Sequence, residues 1–270
     1  MGVREIAVAV AGLGAIGLEV ARRLDAGIAG LRLAAVSARD LDRAATAVAG
    51  FRAPPRVVGS TALAAAADAI VECAPAAAFA SIAEPAIDAG RLFLPLSVAQ
   101  LLERPDLVER AARTGARILV PTGALLGLDA VRAAAEGRID SVRMRTRKPP
   151  AGLAGAPYVL RNAIALEGLT EAARIFAGTA REAARGFPAN VNVAAALSLA
   201  GIGPDRTTVE IWADPSVERN IHEIEVEADS ARLFLRIENV PSDNPRTGRI
   251  TALSVVAALR GLVSPLRVGT

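Results

Sequence analysis

The sequence predicts a two-part protein: an α/β domain built on a parallel sheet, followed by an α+β domain. Three observations carry this. Up to Pro121, short continuous apolar runs alternate with helical segments, as buried parallel strands joined by crossover helices require. A glycine-rich turn, Gly12-Leu13-Gly14-Ala15-Ile16-Gly17, closes the first of those runs. Beyond Pro121 the strand-like runs alternate polar and apolar residues, the mark of a sheet with one wet face.

Taken in order, Ile6–Ala11 reads as a strand and Ile16 to Ala26 as a helix stopped by Gly27. Leu31–Val36 is a second strand, and Asp40 is placed to cap a helix over Leu41–Ala49. Arg56–Val58 is a weak third strand. Ala69–Ala74, closed by Pro75, is a fourth, Leu92–Leu96 a fifth and Arg117–Val120 a sixth, with helices over Ala78–Ala89 and Asp106–Thr114. In the second part Gly127–Glu136 reads as a helix, and Ser141–Thr146 as a strand ending in Arg147-Lys148-Pro149-Pro150. Helical segments are expected up to Arg185, and an Ala/Leu helix over Asn190–Ala200. Thr207–Ala213, Asn220–Ala228 and Ala231–Asn239 are alternating strands, and Ile250–Leu262 is the last helix. The expected division is residues 1–121 with 245–270 for the first domain and 122–244 for the second.

Composition narrows the function. A chain of 270 residues buries a substantial core, and with 52% hydrophobic but 3% aromatic residues that core is aliphatic. One cysteine, Cys73, excludes a disulfide framework and a multi-cysteine zinc site, and no cluster of metal ligands is visible. A net charge of +3 without a basic run gives no case for nucleic acid. No stretch reaches the roughly 18–20 apolar residues of a membrane span. The chain goes straight into a strand over Met1 to Val10, leaving no room for a signal peptide. A cytoplasmic protein is expected.

Gly12-x-Gly14-x-x-Gly17 follows a strand and opens a helix, the context that makes this pattern informative. The first glycine permits the tight turn, the second lets backbone approach a pyrophosphate, and the third lets helix pack on strand. With Ala15 and Ile16, they place an anion at a helix N-terminus. NAD sites carry a carboxylate at the tip of the second strand. Here the tip reads Val36-Ser37-Ala38-Arg39-Asp40. Ser37 and Arg39 suit a 2′-phosphate, and Asp40 keeps NAD open, so NAD or NADP is expected. Cys73 reads as a small buried hydrophobe, and Ala74 beside it lies where strand ends line a cofactor crevice.

A second set of residues stands out by rarity. Lys148 is the only lysine among 31 basic residues, and His222 is the only histidine. Alternation puts His222 on the face of Ile224 and Val226, as either a satisfied core imidazole or a site residue. Asn190 and Asn192 open an apolar helix, suited to a cofactor amide or a carboxylate.

At these residues the chain resembles the L-aspartate dehydrogenase family, related to dihydrodipicolinate reductase and homoserine dehydrogenase folds. The resemblance runs through Pro121-Thr122-Gly123-Ala124, Gly127–Ala130, Thr146–Pro150, Phe187–Ala194, Ala200–Gly203, Ala213–Pro215, Asn220–His222, Glu238–Ser242 and Asn244–Gly248. It implies a Rossmann domain, an α/β substrate domain, His222 as the catalytic residue, and cofactor contacts from Ala124 and the Asn190/Asn192 segment. Lys148, Thr122 and Asn192 are the residues expected to hold substrate. The family usually has Ser at the position of Thr122 and a Ser-Val-Gly-Ala-type turn where this chain has Ser97-Val98-Ala99-Gln100. The implied reaction oxidises L-aspartate to iminoaspartate, which yields oxaloacetate and ammonia or passes to NAD biosynthesis. An imidazole titrating near neutrality in a polar, solvent-reachable cleft would serve as its base. The alternatives are a dehydrogenase or reductase of a related dicarboxylate or semialdehyde, and a non-catalytic dinucleotide binder. The alternating strands suggest a homodimer or homotetramer.

Overall fold

Ile6–Ala11 (β1) is apolar throughout because both faces of its sheet are covered. The chain then alternates: α1 (Ala15–Asp25), β2 (Leu31–Ser37), α2 (Leu41–Val48), β3 (Arg56–Val57), α3 (Leu63–Ala66), β4 (Ala69–Glu72), α4 (Phe79–Asp88), β5 (Leu92–Pro95), α5 (Ala99–Glu103), α6 (Asp106–Thr114) and β6 (Arg117–Ile118). The six strands pair in parallel in the order β3-β2-β1-β4-β5-β6. That is the doubly wound order whose crevice lies where the winding reverses, between β1 and β4.

The computed structural model describes residues 5–242 and 248–269. Most of the Asn244–Gly248 motif lies outside the described residues. These residues divide into two compact units. The first holds the residues up to Ser97, Glu103–Gly123 and Thr251–Arg267, and the second holds Val98–Leu102, Ala124–Ile250 and the end from Val268. The last helix thus returns to the first unit, where Val255 and Leu259 pack into the aliphatic core of Val8, Val20, Val36 and Val71.

The second unit continues with α7 (Leu128–Ala135), β7 (Ile139–Lys148), α8 (Pro157–Arg161), β8 (Ala173–Thr179), α9 (Ala180–Gly186), α10 (Asn192–Ala200), β9 (Thr207–Ala213), β10 (Asn220–Ala228) and β11 (Arg232–Asn239), before α11 (Ile250–Val263). Its mixed sheet runs β11-β10-β7-β9-β8. One face is buried: Val142, Met144, Thr146 and Lys148 of β7 alternate inward, as do His222, Ile224 and Val226 of β10. The other face carries cross-strand ion pairs, among them Arg145 with Glu210 at 3.1 Å and Arg232 with Glu225 at 2.6 Å.

The short helices α3 and α5 were not expected from the sequence, and one expected element takes a different form. Ala173–Thr179, expected to be helical, is an edge strand antiparallel to β9. Its Ala and Arg favour helix, but Ile175 and Phe176 bury themselves on the sheet, so tertiary pairing overrides local propensity. The helix starts only at the capping box formed by Thr179 and Glu182. Among the described residues, no helix is long and apolar enough to cross a membrane.

Candidate active site

In the first unit the glycine turn is built as its spacing implies. A Cβ on Gly12, whose φ is +90°, would meet the Cys73 carbonyl at 2.6 Å, and one on Gly17 would meet the Gly12 carbonyl at 1.8 Å. Only glycine lets β1, α1 and the β4 tip approach this closely. Gly14 is the N-cap of α1, where no side chain caps the helix and no carboxylate stands in its first turn. The space around Gly14 is open to 4 Å. Ala15 and Ile16 follow it in the first turn. Uncapped N–H groups with open space before them fit a pyrophosphate, so the turn can hold a dinucleotide.

The tip of β2 is split. Ser37 is buried, and its carbonyl accepts from Gly12 N–H at 2.7 Å. Arg39 is exposed and makes no hydrogen bond or ion pair among the described residues. Asp40 spends its carboxylate capping α2 through Arg43 N–H at 3.0 Å. Thr122 is exposed in the segment after β6. Cys73 donates its N–H to Ala11, and burial, with the Glu72 carboxylate beside it, pushes its thiol well above the ordinary range. The raised pKa keeps the sulfur as the thiol, the weaker nucleophile.

Sequence reasoning passed over Glu72, the last residue of β4. It is fully buried, and its two carboxylate oxygens accept from Ala74 N–H, Leu96 N–H, Ser97 N–H and the Ser97 hydroxyl at 2.9 to 3.2 Å. The available signal was a carboxylate ending an otherwise apolar buried strand, Ala69-Ile70-Val71-Glu72. Burial raises its pKa, and the hydrogen bonds from Ser97, Ala74 and Leu96 oppose that rise.

In the second unit the structure brings His222, Lys148 and Asn190 together. Register pairs His222 of β10 directly with Thr146 of β7, and Thr146 Oγ1 lies 3.1 Å from His222 Nδ1. No hydrogen bond is made by Nε2 among the described residues. Two residues along β7, Lys148 Nζ donates to Asn190 Oδ1 at 3.1 Å. No carboxylate pairs with Lys148 among the described residues. His222 is 2% exposed and Lys148 4%. Burial pulls Lys148 down to about 8; burial and then the Lys148 charge pull His222 down to about 3. The imidazole is thus enclosed and neutral, where a solvent-reachable ring titrating near neutrality was expected.

Three aromatic rings brace this corner. Tyr158, Phe176 and Phe187 stack with centroids 5.3 to 5.6 Å apart, and the turn Phe187–Asn190 leaves from that cluster. Asn192 Oδ1 accepts from Ala99 N–H at 3.1 Å, which caps the start of α5. Ala124 sits in the turn before α7, where its carbonyl accepts from Asn239 Nδ2 at 3.0 Å. No group of three His, Cys, Asp or Glu among the described residues is placed to hold a metal ion.

Residues 12–121 match the NAD-binding domain of homoserine dehydrogenase, and residues 129–262 match the C-terminal domain of aspartate dehydrogenase. An L-aspartate dehydrogenase of Bordetella bronchiseptica is 57% identical over 98% of this chain and 98% of its own length. One from Bradyrhizobium diazoefficiens is 56% identical over 98% and 95%. The chain belongs to the L-aspartate dehydrogenase family. Its fold matches that of an aspartate dehydrogenase from Thermotoga maritima, with a TM-score of 0.74, 23% identity, and coverage of 98% and 100%. A homoserine dehydrogenase from Thiobacillus denitrificans shares the fold at a TM-score of 0.63, with 14% identity over 97% of this chain and 74% of its own. Family members of this kind are oxidoreductases with an NAD(P)-binding domain.

Proposed function

We propose that the chain oxidises L-aspartate at the Cα–N bond, with NAD or NADP as acceptor, to iminoaspartate, which water converts to oxaloacetate and ammonia. One observation carries the reading within the family: a buried lysine with no carboxylate partner among the described residues stands beside a buried neutral imidazole. An uncompensated interior cation is costly, and an anionic substrate carboxylate would offset that cost.

The glycine turn and Arg39 would hold the dinucleotide, which when bound supplies the hydride acceptor. Lys148 receives a substrate carboxylate, while Asn190 fixes the ammonium through its Oδ1. Thr146 orients the imidazole through Nδ1 and leaves Nε2 to take a proton from the substrate nitrogen or the attacking water. Lys148 also tunes that base. In the free protein its charge helps hold His222 unprotonated. Pairing with a carboxylate cancels that push, so His222 becomes a better base when substrate arrives. Thr122, Asn192 and Ala124 remain candidates for the remaining substrate and cofactor contacts.

A screen of amino-acid oxidation with both cofactors tests the reading. Aspartate should be turned over far faster than homoserine. Turnover of a semialdehyde or homoserine, with none of aspartate, would overturn it. A homodimer through the open face of the second sheet, where Phe234 is exposed, completes the proposal. Phe234→Glu should then shift the scattering mass to that of one chain, and an unchanged mass would remove this contact. An NAD(P)-linked enzyme with a single cysteine fits the cytoplasm, the compartment this reading assigns.

A further inference from the structure

The crevice of a doubly wound sheet is walled by backbone leaving the C-terminal ends of its strands. Here the ends of β4 and β5 are not left to loop packing. Four donors converge on the Glu72 carboxylate: Ala74 N–H and the Ser97 hydroxyl on Oε1, Leu96 N–H and Ser97 N–H on Oε2. The Ser97 hydroxyl is also 3.3 Å from the Ala74 carbonyl, so its single proton is shared between that carbonyl and the Glu72 carboxylate. On its other side the same segment is pressed against the glycine turn: Cys73 N–H donates to Ala11 at 2.7 Å, and a Cβ on Gly12 would strike the Cys73 carbonyl. Glycine turn, Cys73–Ala74 and Leu96–Ser97 therefore form one continuous rim with Glu72 beneath it.

We propose that Glu72 is a positioning residue for the dinucleotide, fixing the backbone of Cys73–Ala74 and Leu96–Ser97 as the wall against which the half of the cofactor beyond the pyrophosphate is held. The inference rests on the dinucleotide-binding reading above. Two of the four donors, Ala74 N–H and Ser97 N–H, are backbone groups just past the strand ends that no ladder bond satisfies, while Leu96 N–H is shared between the Glu72 backbone carbonyl at 3.0 Å and the carboxylate at 3.2 Å. A carboxylate satisfies them in a single conformation. A glutamine offers only one acceptor oxygen and turns an NH₂ towards N–H donors. The rim then relaxes while the sheet beneath it keeps its ladder.

The test is NADH binding followed by fluorescence, with melting temperature and steady-state kinetics on the same samples. Glu72→Gln should raise the NADH Kd about tenfold, the size expected when hydrogen bonds to a charged group are lost. The aspartate KM at saturating cofactor should stay within about twofold of wild type, a split that general loosening would not give. Ser97→Ala removes only the hydroxyl tie and should raise Kd about threefold, and Ser97→Thr should restore it. An unchanged Kd in Glu72→Gln overturns the proposal, as does a matching loss of aspartate affinity. If Glu72→Gln does not fold, the serine pair decides: wild-type affinity in Ser97→Ala, or no recovery in Ser97→Thr, overturns it. A wild-type protein that binds no NADH would instead refute the dinucleotide reading itself.

Discussion

Each unit buries a charged side chain at the end of a strand, and the two are treated in opposite ways. Glu72 ends β4 with four donors on two oxygens. Lys148 ends β7 with one acceptor, the amide oxygen of Asn190. A buried charge whose hydrogen-bonding capacity is filled serves architecture. One left largely unfilled lowers stability and persists only where something else completes it. The contrast separates a residue that shapes a site from one that waits for a ligand.

The largest effect should come from the neighbour Lys148 disturbs. His222→Asn keeps a polar atom within reach of Thr146 but cannot take a proton near neutral pH. Turnover should fall by roughly 10²–10⁴-fold, the usual contribution of a positioned acid–base group, with the cofactor Kd unchanged. A folded His222→Asn enzyme at full kcat would place the chemistry elsewhere.

Lys148 sharpens the contrast because function and stability should move in opposite directions. Its pKa falls from the ordinary 10.5 to about 8. Between those values the unfolded chain binds a proton that the folded chain does not, so stability rises with pH there, and below about 8 the full penalty is present. At about 1.4 kcal/mol per unit the penalty is about 3 kcal/mol. Lys148→Met should therefore be more stable than wild type at pH 7 by up to that amount, with the gap closing towards pH 10. Its aspartate KM should rise at least about tenfold, as loss of a charge-assisted contact implies. Denaturant titrations at the two pH values check the first claim. A less stable variant would mean that Lys148 is structurally satisfied after all.

The same titration should appear in binding. Succinate has two carboxylates and no amine, so its inhibition constant isolates the protein's own groups. It should weaken about tenfold between pH 7 and 9 as Lys148 loses its proton. Lys148→Arg, always charged, should flatten that slope whatever its absolute affinity. A wild-type constant that does not vary over this range would detach Lys148 from the substrate carboxylates.

What was legible in the sequence follows the same division. The parallel sheet announced itself because buried strands are continuous apolar runs, and the glycine turn because its spacing is a steric requirement. His222 was placed on the correct face by alternation alone. Its surroundings were not legible: that Thr146 lies opposite is a matter of strand register 76 residues away, and that its ring is enclosed depends on the packing of the whole second unit. Glu72 went unnoticed because its meaning lies in Leu96 and Ser97, on a different strand. The edge strand Ala173–Thr179 was hidden for the same reason, since only its pairing with β9 outweighs its helical composition.

Arg39 extends the comparison to the surface and should show the smallest effect. Like Lys148 it has no carboxylate partner among the described residues, but it is exposed. Water solvates an exposed guanidinium, so leaving it unpaired costs the fold nothing, and pairing it gains correspondingly little. Ser37 is buried at the strand tip and Asp40 is committed to its helix cap, which leaves Arg39 as the free charge at the end of β2 for a 2′-phosphate. Arg39→Ala should weaken NADP by about fivefold, close to 1 kcal/mol for a solvent-exposed pair, and NAD hardly at all. The NADP effect should shrink further at high salt, whereas the Lys148→Met effect on aspartate should persist because its site is shielded. Equal losses for both cofactors would show that Arg39 does not read the phosphate, and a loss far above tenfold would mean that it is drawn into a more enclosed position when the cofactor binds.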